Sequence, residues 1–404
     1  EELVCALAEC GITRPSHVQA AGFAPILRGE DVALADQTGS GKTFAYIAPI
    51  VQALRTMEAE GQRTSDGQVR ALVLTPTSEL AQQVLGVAKT LAAAGVPFRS
   101  SIITGEHKWK TQAQCAVRGL ELLVCTPGRL RAHLLAEPTP SFSLAECRHV
   151  VLDEADLLLE DEDFEETWQV LRANLPDRAA TAFVTATLPE WMITRVQNDL
   201  PLLNVQKGPA LHRTAPGVRS KLVDCSAGER QRGDGDEGFG IKANALLAEL
   251  ESEPASHTLI FCNTIESCRR VENFLRRRDK RRVAYDVHVF HGAIPADARK
   301  AALSAFTAPP EGYALPQLLV CTDRASRGMD FPSVEHVVLF DFPRDGVEYV
   351  RRVGRATRGT NRPGRVTSLA QGRQLGYARE LMKADRKGGA VDLEVHGSTA
   401  EEDF

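Results

Sequence analysis

Short apolar runs rich in Val, Ile and Leu recur along the chain, each separated from the next by a longer stretch of helical character. In the first half they occupy 31–35, 71–74, 101–103, 121–125, 149–152 and 182–184; in the second, 221–224, 258–262, 287–290, 318–321, 334–340 and 365–369. Strands of this kind alternating with helices form parallel sheets, because a parallel connection must cross the sheet and a helix makes that crossing. A chain of 404 residues is too long for one such core and suits two. The pattern predicts an α/β protein with two parallel-sheet domains, 1–207 and 218–404. The Pro- and Gly-punctuated stretch 200–217 reads as linker, with 208–217 as the joint itself. The polar inserts 58–68 and 228–240 read as surface loops.

Residues are 43% hydrophobic and 25% charged, enough apolar surface for real cores. No apolar run approaches bilayer length, so no membrane partner is expected. Residue 1 is Glu with no basic, Ser-rich leader before it, and the sequence reads as a fragment with any targeting segment out of view. Nine cysteines are scattered without a C-x-x-C pair or a neighbouring His set, which favours reduced, buried thiols over a disulfide or zinc framework. The net charge of −5 hides an asymmetry: residues 1–210 hold 18 Lys and Arg against 26 Asp and Glu, the remainder 30 against 27. Any nucleic acid must therefore be held by a local groove and oriented backbone groups, not by bulk charge.

In open parallel sheets ligands sit beyond the carboxyl ends of strands. After 31–35 comes Gln37-Thr38-Gly39-Ser40-Gly41-Lys42-Thr43, then a helix opening near Phe44. Glycines let backbone N–H groups converge on phosphate oxygens, Lys42 can reach the outer phosphates, and the Thr43 hydroxyl is placed to ligate Mg²⁺. A glycine loop that merely turns the chain would not need this Gly-x-Gly-Lys-Thr spacing between strand and helix. After 149–152 come Asp153, Glu154, Ala155 and Asp156. A strand ending in Asp-Glu can place one carboxylate, Asp153, at the metal and the next, Glu154, as base toward attacking water. Alone this acidic cluster could be a solvated strand cap; beside the phosphate loop it reads as a site.

These motifs resemble, along almost the whole chain, the DEAD-box family of superfamily 2 RNA helicases. The resemblance implies two RecA-like domains, ATP and Mg²⁺ as cofactors, and RNA as partner. Gly11-Ile12-Thr13-Arg14-Pro15-Ser16-His17-Val18-Gln19 resembles the Q motif, which implies that Arg14 and Gln19 serve ATP binding and that Gln19 reads the adenine edge. The family's adenine-stacking aromatic would lie upstream of Glu1. Pro76-Thr77-Ser78-Glu79-Leu80-Ala81 and Thr126-Pro127-Gly128-Arg129-Leu130 resemble RNA-backbone elements, with Gly105 on the same path. Ser78 stands where the family has Arg, and Glu106 where it has a second Gly, which puts a carboxylate near the strand.

Thr185-Ala186-Thr187 resembles the Ser-Ala-Thr element that links hydrolysis to strand separation, with Asp156 on the same coupling route. In the second half, Thr322-Asp323-Arg324-Ala325-Ser326-Arg327-Gly328-Met329-Asp330 resembles the element touching RNA through Thr322 and ATP through Gly328 and Asp330. Tyr349-Val350-Arg351-Arg352-Val353-Gly354-Arg355-Ala356-Thr357-Arg358 resembles the arginine-finger segment, implying Arg355 and Arg358 on the γ-phosphate and Arg351 and Arg352 in coupling. Arg299 is retained from a further RNA element in which Ala296 replaces Gln.

With phosphate loop and base in one half and fingers in the other, lobe closure on ATP and a single RNA strand is what the resemblance implies, each ligand tightening the other. The expected activity is RNA-stimulated ATP hydrolysis with local unwinding of short duplexes by a monomeric core. An ATP-gated RNA clamp shares every motif; a DNA motor or a small-molecule NTPase finds less support. Segments such as Asp36-Gln37-Thr38 and Glu348-Tyr349-Val350-Arg351-Arg352 are most similar to a plant or algal organellar branch, which points to the chloroplast, or else the mitochondrion, and to ribosomal RNA or an RNP as target. Outside every motif, Arg269-Arg270 and Arg276-Arg277-Arg278-Asp279-Lys280-Arg281-Arg282 form a dense basic cluster. It reads either as a solvated helix end or as a foothold on structured RNA.

Overall fold

The computed structural model describes residues 1–213, 217–226, 235–308, 315–323, 334–356, 364–386 and 389–393. The chain divides into two compact units, Glu1–Leu211 and His212–Phe404.

The first unit holds strands β1 (Val32–Ala35), β2 (Val69–Leu74), β3 (Ser100–Ile103), β4 (Leu120–Cys125), β5 (His149–Asp153), β6 (Ala180–Thr185) and β7 (Asn204–Lys207). Its helices are α1 (Glu2–Glu9), α2 (His17–Leu27), α3 (Lys42–Ala59), α4 (Ser78–Ala93), α5 (Trp109–Ala113), α6 (Pro127–Leu134), α7 (Ala155–Glu160), α8 (Glu162–Asn174) and α9 (Glu190–Asp199). The strands form one sheet in the order β3-β4-β2-β5-β6-β1-β7, parallel at every pairing. Alternate residues of each strand face opposite sides. Val150 and Leu152 of β5 pack with Phe183, Phe164 and Trp168 on one face, whereas Val151 packs with Val184, Tyr46 and Ile47 on the other.

The second unit repeats the plan with β8 (Arg219–Asp224), β9 (His257–Cys262), β10 (Asp286–Phe290), β11 (Gln317–Thr322), β12 (His336–Leu339) and β13 (Arg365–Ala370). Its helices are α10 (Gly235–Ser252), α11 (Ile265–Arg278), α12 (Ala296–Thr307), α13 (Gly346–Val353) and α14 (Gln374–Arg386). The sheet order is β10-β11-β9-β12-β13-β8, again parallel throughout. Among the described residues no helix is long and apolar enough to cross a membrane.

Three sequence expectations need correction. Within 200–217, residues 204–207 form β7, which pairs with β1 in the register Val32↔Asn204 to Ala35↔Lys207. The strand is held by backbone bonding at a sheet edge, not by an apolar face, so its polar sequence concealed it. Gly208 then passes so close to Asp36 that a Cβ would lie 2.1 Å from the carboxyl carbon. Within 228–240, α10 already begins at Gly235, and the packing of Phe239 on Phe340, with ring centroids 5.6 Å apart, overrides the glycine-rich composition. The insert 58–68 does leave α3 as a loop, and Arg70 ties it down through the carbonyls of Gln62 and Arg63, each at 2.7 Å. The third correction concerns the thiols: all nine cysteines are free and six are buried, but Cys5 is exposed and Cys10 and Cys115 are half-buried.

Candidate functional site

Parallel pairing puts every strand's carboxyl end on one edge of its sheet, and in the first unit the loops after β1, β5 and β6 are neighbours there. The loop after β1 turns through left-handed Gly39 and Gly41, with φ of 83° and 88°, a region open to glycine at little cost. Gly41 is the N-cap of α3, whose first residue is Lys42, two positions before the expected helix start. The Lys42 ammonium donates to the carbonyls of Asp36 (2.8 Å) and Gln37 (3.0 Å) of its own loop. The Ser40 hydroxyl is buried without a hydrogen-bond partner. Gln37 and Thr38 are half-buried on the same turn.

Gln19 closes this loop from α2. Its Oε1 accepts from Ser16 N–H at 2.9 Å, completing a capping box, and its Nε2 donates to the Gly41 carbonyl at 3.2 Å. A Cβ on Gly41 would sit 2.5 Å from that nitrogen, so this approach also requires glycine. One lone pair and one N–H of the amide remain for a base edge. Arg14 is exposed on the turn before α2.

Asp153 ends β5 buried, accepting from the Tyr46 hydroxyl at 2.8 Å and from Glu154 N–H at 3.0 Å. Burial first, then the charge of Glu154, pushes its carboxyl up to about 7 against the opposing Tyr46 and Lys42. Glu154 adopts φ 52°, ψ 52°, a left-handed conformation that costs a non-glycine residue about 1–3 kcal/mol. Two residues on, buried Asp156 accepts from the Thr187 hydroxyl, and Thr185 Oγ1 donates to Thr187 carbonyl oxygen at 2.6 Å. The ends of β5 and β6 are thereby tied together.

Along the same edge, Thr77 caps α4 by accepting from Leu80 N–H, with Pro76 half-buried beside it. Thr126 precedes α6 without a side-chain cap bond, and Pro127 takes the first helical position, leaving the N–H groups at Gly128 and beyond uncapped by it. Gly105 is exposed after β3, and the neighbouring Glu106 carboxylate is held by Gln82 Nε2 at 3.3 Å. Arg129 is engaged within the first unit. Its Nε donates to Gln112 Oε1 (3.1 Å), its Nη2 to the His107 carbonyl (3.0 Å), and its guanidinium lies 5.0 Å from the Trp109 ring centre. It braces the 104–112 segment. Buried Gln112 also bonds the carbonyls of Thr104 and His107, and Trp109, 40% exposed, stacks on neutral His133 at 3.8 Å.

In the second unit the corresponding edge is organised by Arg352 on α13, 1% exposed. Its guanidinium grips both carboxylate oxygens of Asp323 and also donates to Asn263 Oδ1 and the Asp341 carbonyl, each at 2.7 Å. One planar fork thus joins the ends of β9, β11 and the strand preceding Asp341. Thr322 is buried at the end of β11, Arg355 is buried after α13, and Arg351 is half-buried. Arg299 donates to the Ile294 carbonyl at 3.2 Å and lies 6.0 Å from the Phe290 ring. Gly328, Asp330 and Arg358, with Arg324, Ser326 and Thr357, lie outside the described residues.

The first unit's residues fit ATP and Mg²⁺. An unpartnered buried hydroxyl at Ser40, an ammonium resting on neutral carbonyls and a carboxyl destabilised by burial all stand to gain from a polyanion with its cation. Thr43 and Asp153 are the side chains that would hold the metal. Among the described residues there is no cluster of three or more His, Cys, Asp or Glu that could hold a metal ion.

Two family models match the chain: DEAD/DEAH box helicase over residues 16–195, and helicase conserved C-terminal domain over residues 241–360. The chain belongs to the DEAD-box helicase family. DEAD-box ATP-dependent RNA helicase 50 of Arabidopsis thaliana is 42% identical over 393 residues, 97% of this chain and 50% of the relative. Its namesake from Oryza sativa subsp. japonica is 43% identical over 389 residues, covering 96% and 60%. This DEAD-box chain thus spans between half and three fifths of the length of these relatives. Among solved structures, S. cerevisiae Dbp5 bound to RNA and ADP BeF3 superposes with a TM-score of 0.77 at 21% identity, over 97% of this chain and 92% of that one. Mss116p bound to ssRNA and AMP-PNP gives 0.76 at 22%, over 96% and 75%. At such identities the likeness carries the fold: two RecA-like parallel-sheet domains.

In this DEAD-box chain the structure brings together Gln19, 37–43, Asp153, Glu154, Asp156, Thr185 and Thr187 on one edge. Sequence reading missed Tyr46, although it lies four residues after Lys42 and so on the same helix face. It also missed Asn263 and Asp341, which directly follow apolar strand runs.

Proposed function

We propose that this DEAD-box chain is the core of an RNA-stimulated ATPase that remodels short RNA duplexes or RNPs. The observation that carries this reading is the junction of three strand ends: the phosphate loop after β1, Asp153 and Glu154 after β5, and Thr185 and Thr187 after β6, linked to the acidic motif by the Thr187–Asp156 bond. Lys42 exchanges its loop carbonyls for phosphate oxygens, backbone N–H groups from Gly39 to Thr43 cradle them, and Glu154 accepts a proton from the attacking water. Mg²⁺ held by Thr43 and Asp153 supplies charge neutralisation on the phosphates. Arg355 and Arg358 are assigned to the γ-phosphate on the family resemblance. Thr77, Gly105, Thr126 and Gly128 offer hydroxyls and helix-terminal N–H groups, which grip a backbone without reading bases. RNA binding independent of sequence follows.

Organellar ribosomal RNA, with the chloroplast as compartment, is the cellular assignment we propose on the resemblance of Asp36-Gln37-Thr38 and Glu348-Tyr349-Val350-Arg351-Arg352 to a plant or algal organellar branch of the family. The deciding experiment measures steady-state ATP turnover with and without single-stranded RNA, and duplex separation with RNA and DNA strands. Stimulation by RNA with strand separation supports the reading. Turnover indifferent to RNA would reduce the chain to a simple NTPase, and long-lived RNA binding without separation would make it a clamp.

A further inference from the structure

The helix α11 carries a structure that the ATP and RNA motifs do not use. Arg270, Phe274, Arg277 and Arg278 recur at helical spacing on one face and, with Phe239 and Asn273, line a cleft of about 370 Å³ between α10 and α11. Here arginine and aromatic side chains are interleaved: the Arg270 guanidinium lies 4.1 Å from the Phe239 ring centre and that of Arg278 lies 5.8 Å from Phe274, whose ring meets Phe239 edge-on. A stacked guanidinium is fixed in plane, and that of Arg278 presents N–H edges suited to bidentate contacts.

Beyond α11 the cationic track continues on a built turn. The Asp279 carboxylate accepts from the N–H groups of Val283 (3.1 Å), Ala284 (2.8 Å) and Tyr285 (3.3 Å), and Arg282 is held at φ 50°. Lys280, Arg281 and Arg282 are exposed on this turn. Arg276 is not part of the track, because it bonds Glu272 and the Val287 carbonyl, both at 2.9 Å.

A helix dipole accounts for cations in the last turn only. It does not account for Arg270 two turns earlier, nor for three cations past the helix on a strained loop. Topology places this turn before β10, at the amino edge of the sheet, whereas Thr322 and Asn263 lie at the carboxyl edge, about 20 Å away along α11.

We infer that the α11 cleft and the 279–285 turn form an auxiliary binding track for the sugar-phosphate backbone of structured RNA, at the end of the second unit's sheet opposite Thr322 and Asn263. A peptide would need an apolar socket for an anchoring side chain, and here guanidiniums already cover the aromatic faces. A string of phosphates needs only the arginine edges. The inference rests on the RNA-binding reading above and adds affinity without base specificity.

The test uses the whole chain with two labelled RNAs: a short single strand, and a stem-loop bearing the same strand as a tail. In Arg277→Gln/Arg281→Gln/Arg282→Gln, the slope of log affinity against log salt on the stem-loop should fall by about two, from roughly 0.7–0.9 for each lost phosphate contact. Affinity for the stem-loop at low salt should drop tenfold or more, while binding of the short strand and the ATPase it stimulates stay at the wild-type level. The triple Arg→Lys variant should keep the slope. An unchanged slope on the stem-loop overturns the track, as does equal loss on both RNAs. A labelled poly-glutamate whose binding depends on the three arginines while the stem-loop's does not would assign the cleft to an acidic protein instead. If wild-type turnover ignores the short strand, the RNA reading itself fails, a result distinct from all of these.

Discussion

The Tyr46 hydroxyl donates to Asp153 Oδ2 at 2.8 Å, tying the first turns of α3 to the end of β5. This bond opposes the burial that raises the Asp153 carboxyl to about 7. Tyr46→Phe therefore raises it further and leaves more of it protonated near neutrality. Affinity for Mg²⁺-ATP should fall several-fold at pH 7, on the order of 1 kcal/mol for one lost hydrogen bond, and recover as the pH is raised well above 8. Titration of nucleotide binding against pH checks this, and coincident profiles for the two proteins would remove Tyr46 from the site.

Glu154→Gln should bind ATP normally yet lose turnover by about two to four powers of ten, the span of general-base contributions. Its complex with RNA and ATP should outlive the wild-type complex. Lys42→Ala should lose nucleotide affinity instead. Near-normal steady-state ATPase in Glu154→Gln would transfer the base role elsewhere.

Gln19 has two functions that substitution can separate. Gln19→Ala breaks the capping box and the bond to the Gly41 carbonyl, so it should cost about 1 kcal/mol of stability as well as the preference for ATP over GTP. Gln19→Glu keeps the capping acceptor but loses the N–H donor to the Gly41 carbonyl; it should retain more stability than Gln19→Ala while nucleotide preference disappears. Unaltered preference in both would show that the amide does not meet the base.

Thr187→Val removes the hydroxyl that donates to buried Asp156. Stability should fall by about 1–3 kcal/mol, the cost of leaving a buried acceptor short of a partner. Strand separation should suffer more than RNA-stimulated ATPase. Equal loss in the two assays would make the bond structural only.

His336 and His149 are buried and neutral. Burial, then the charge of Arg365, lowers the His336 imidazole to about 3; burial, then Arg148, lowers that of His149 to about 4. The unfolded chain binds these protons near pH 6.5 and the folded chain does not, so stability is full above pH 6.5 and is lost as pH falls toward 4. Each histidine contributes about 1 kcal/mol per pH unit in that window. In His336→Gln, whose amide can still donate to Thr367, urea midpoints measured across this range should fall less steeply. A slope matching wild type would contradict the assignment.

The nucleotide edge was legible in the sequence because its chemistry is contiguous: Gly39 to Thr43 and Asp153 to Asp156 each occupy one turn directly after an apolar strand. What escaped was whatever depends on distant parts of the chain. Residues 204–207 become a strand through bonding to β1, 169 residues or more before them in sequence. Nothing in the sequence around Arg129 reveals that Gln112, His107 and Trp109 converge on it. Arg352 likewise gave no sign that Asn263, Asp323 and Asp341 meet at its guanidinium.

Lys42 has a resting place. With its ammonium lodged on the Asp36 and Gln37 carbonyls, the loop keeps its shape without phosphate, and a departing nucleotide leaves no bare buried cation behind. Such a parking position weakens ground-state affinity by the strength of the two bonds given up, and it lowers the barrier to product escape by the same interaction. For the ATPase proposed above, which must reset after every cycle, a lysine that can hold itself is a device for letting go.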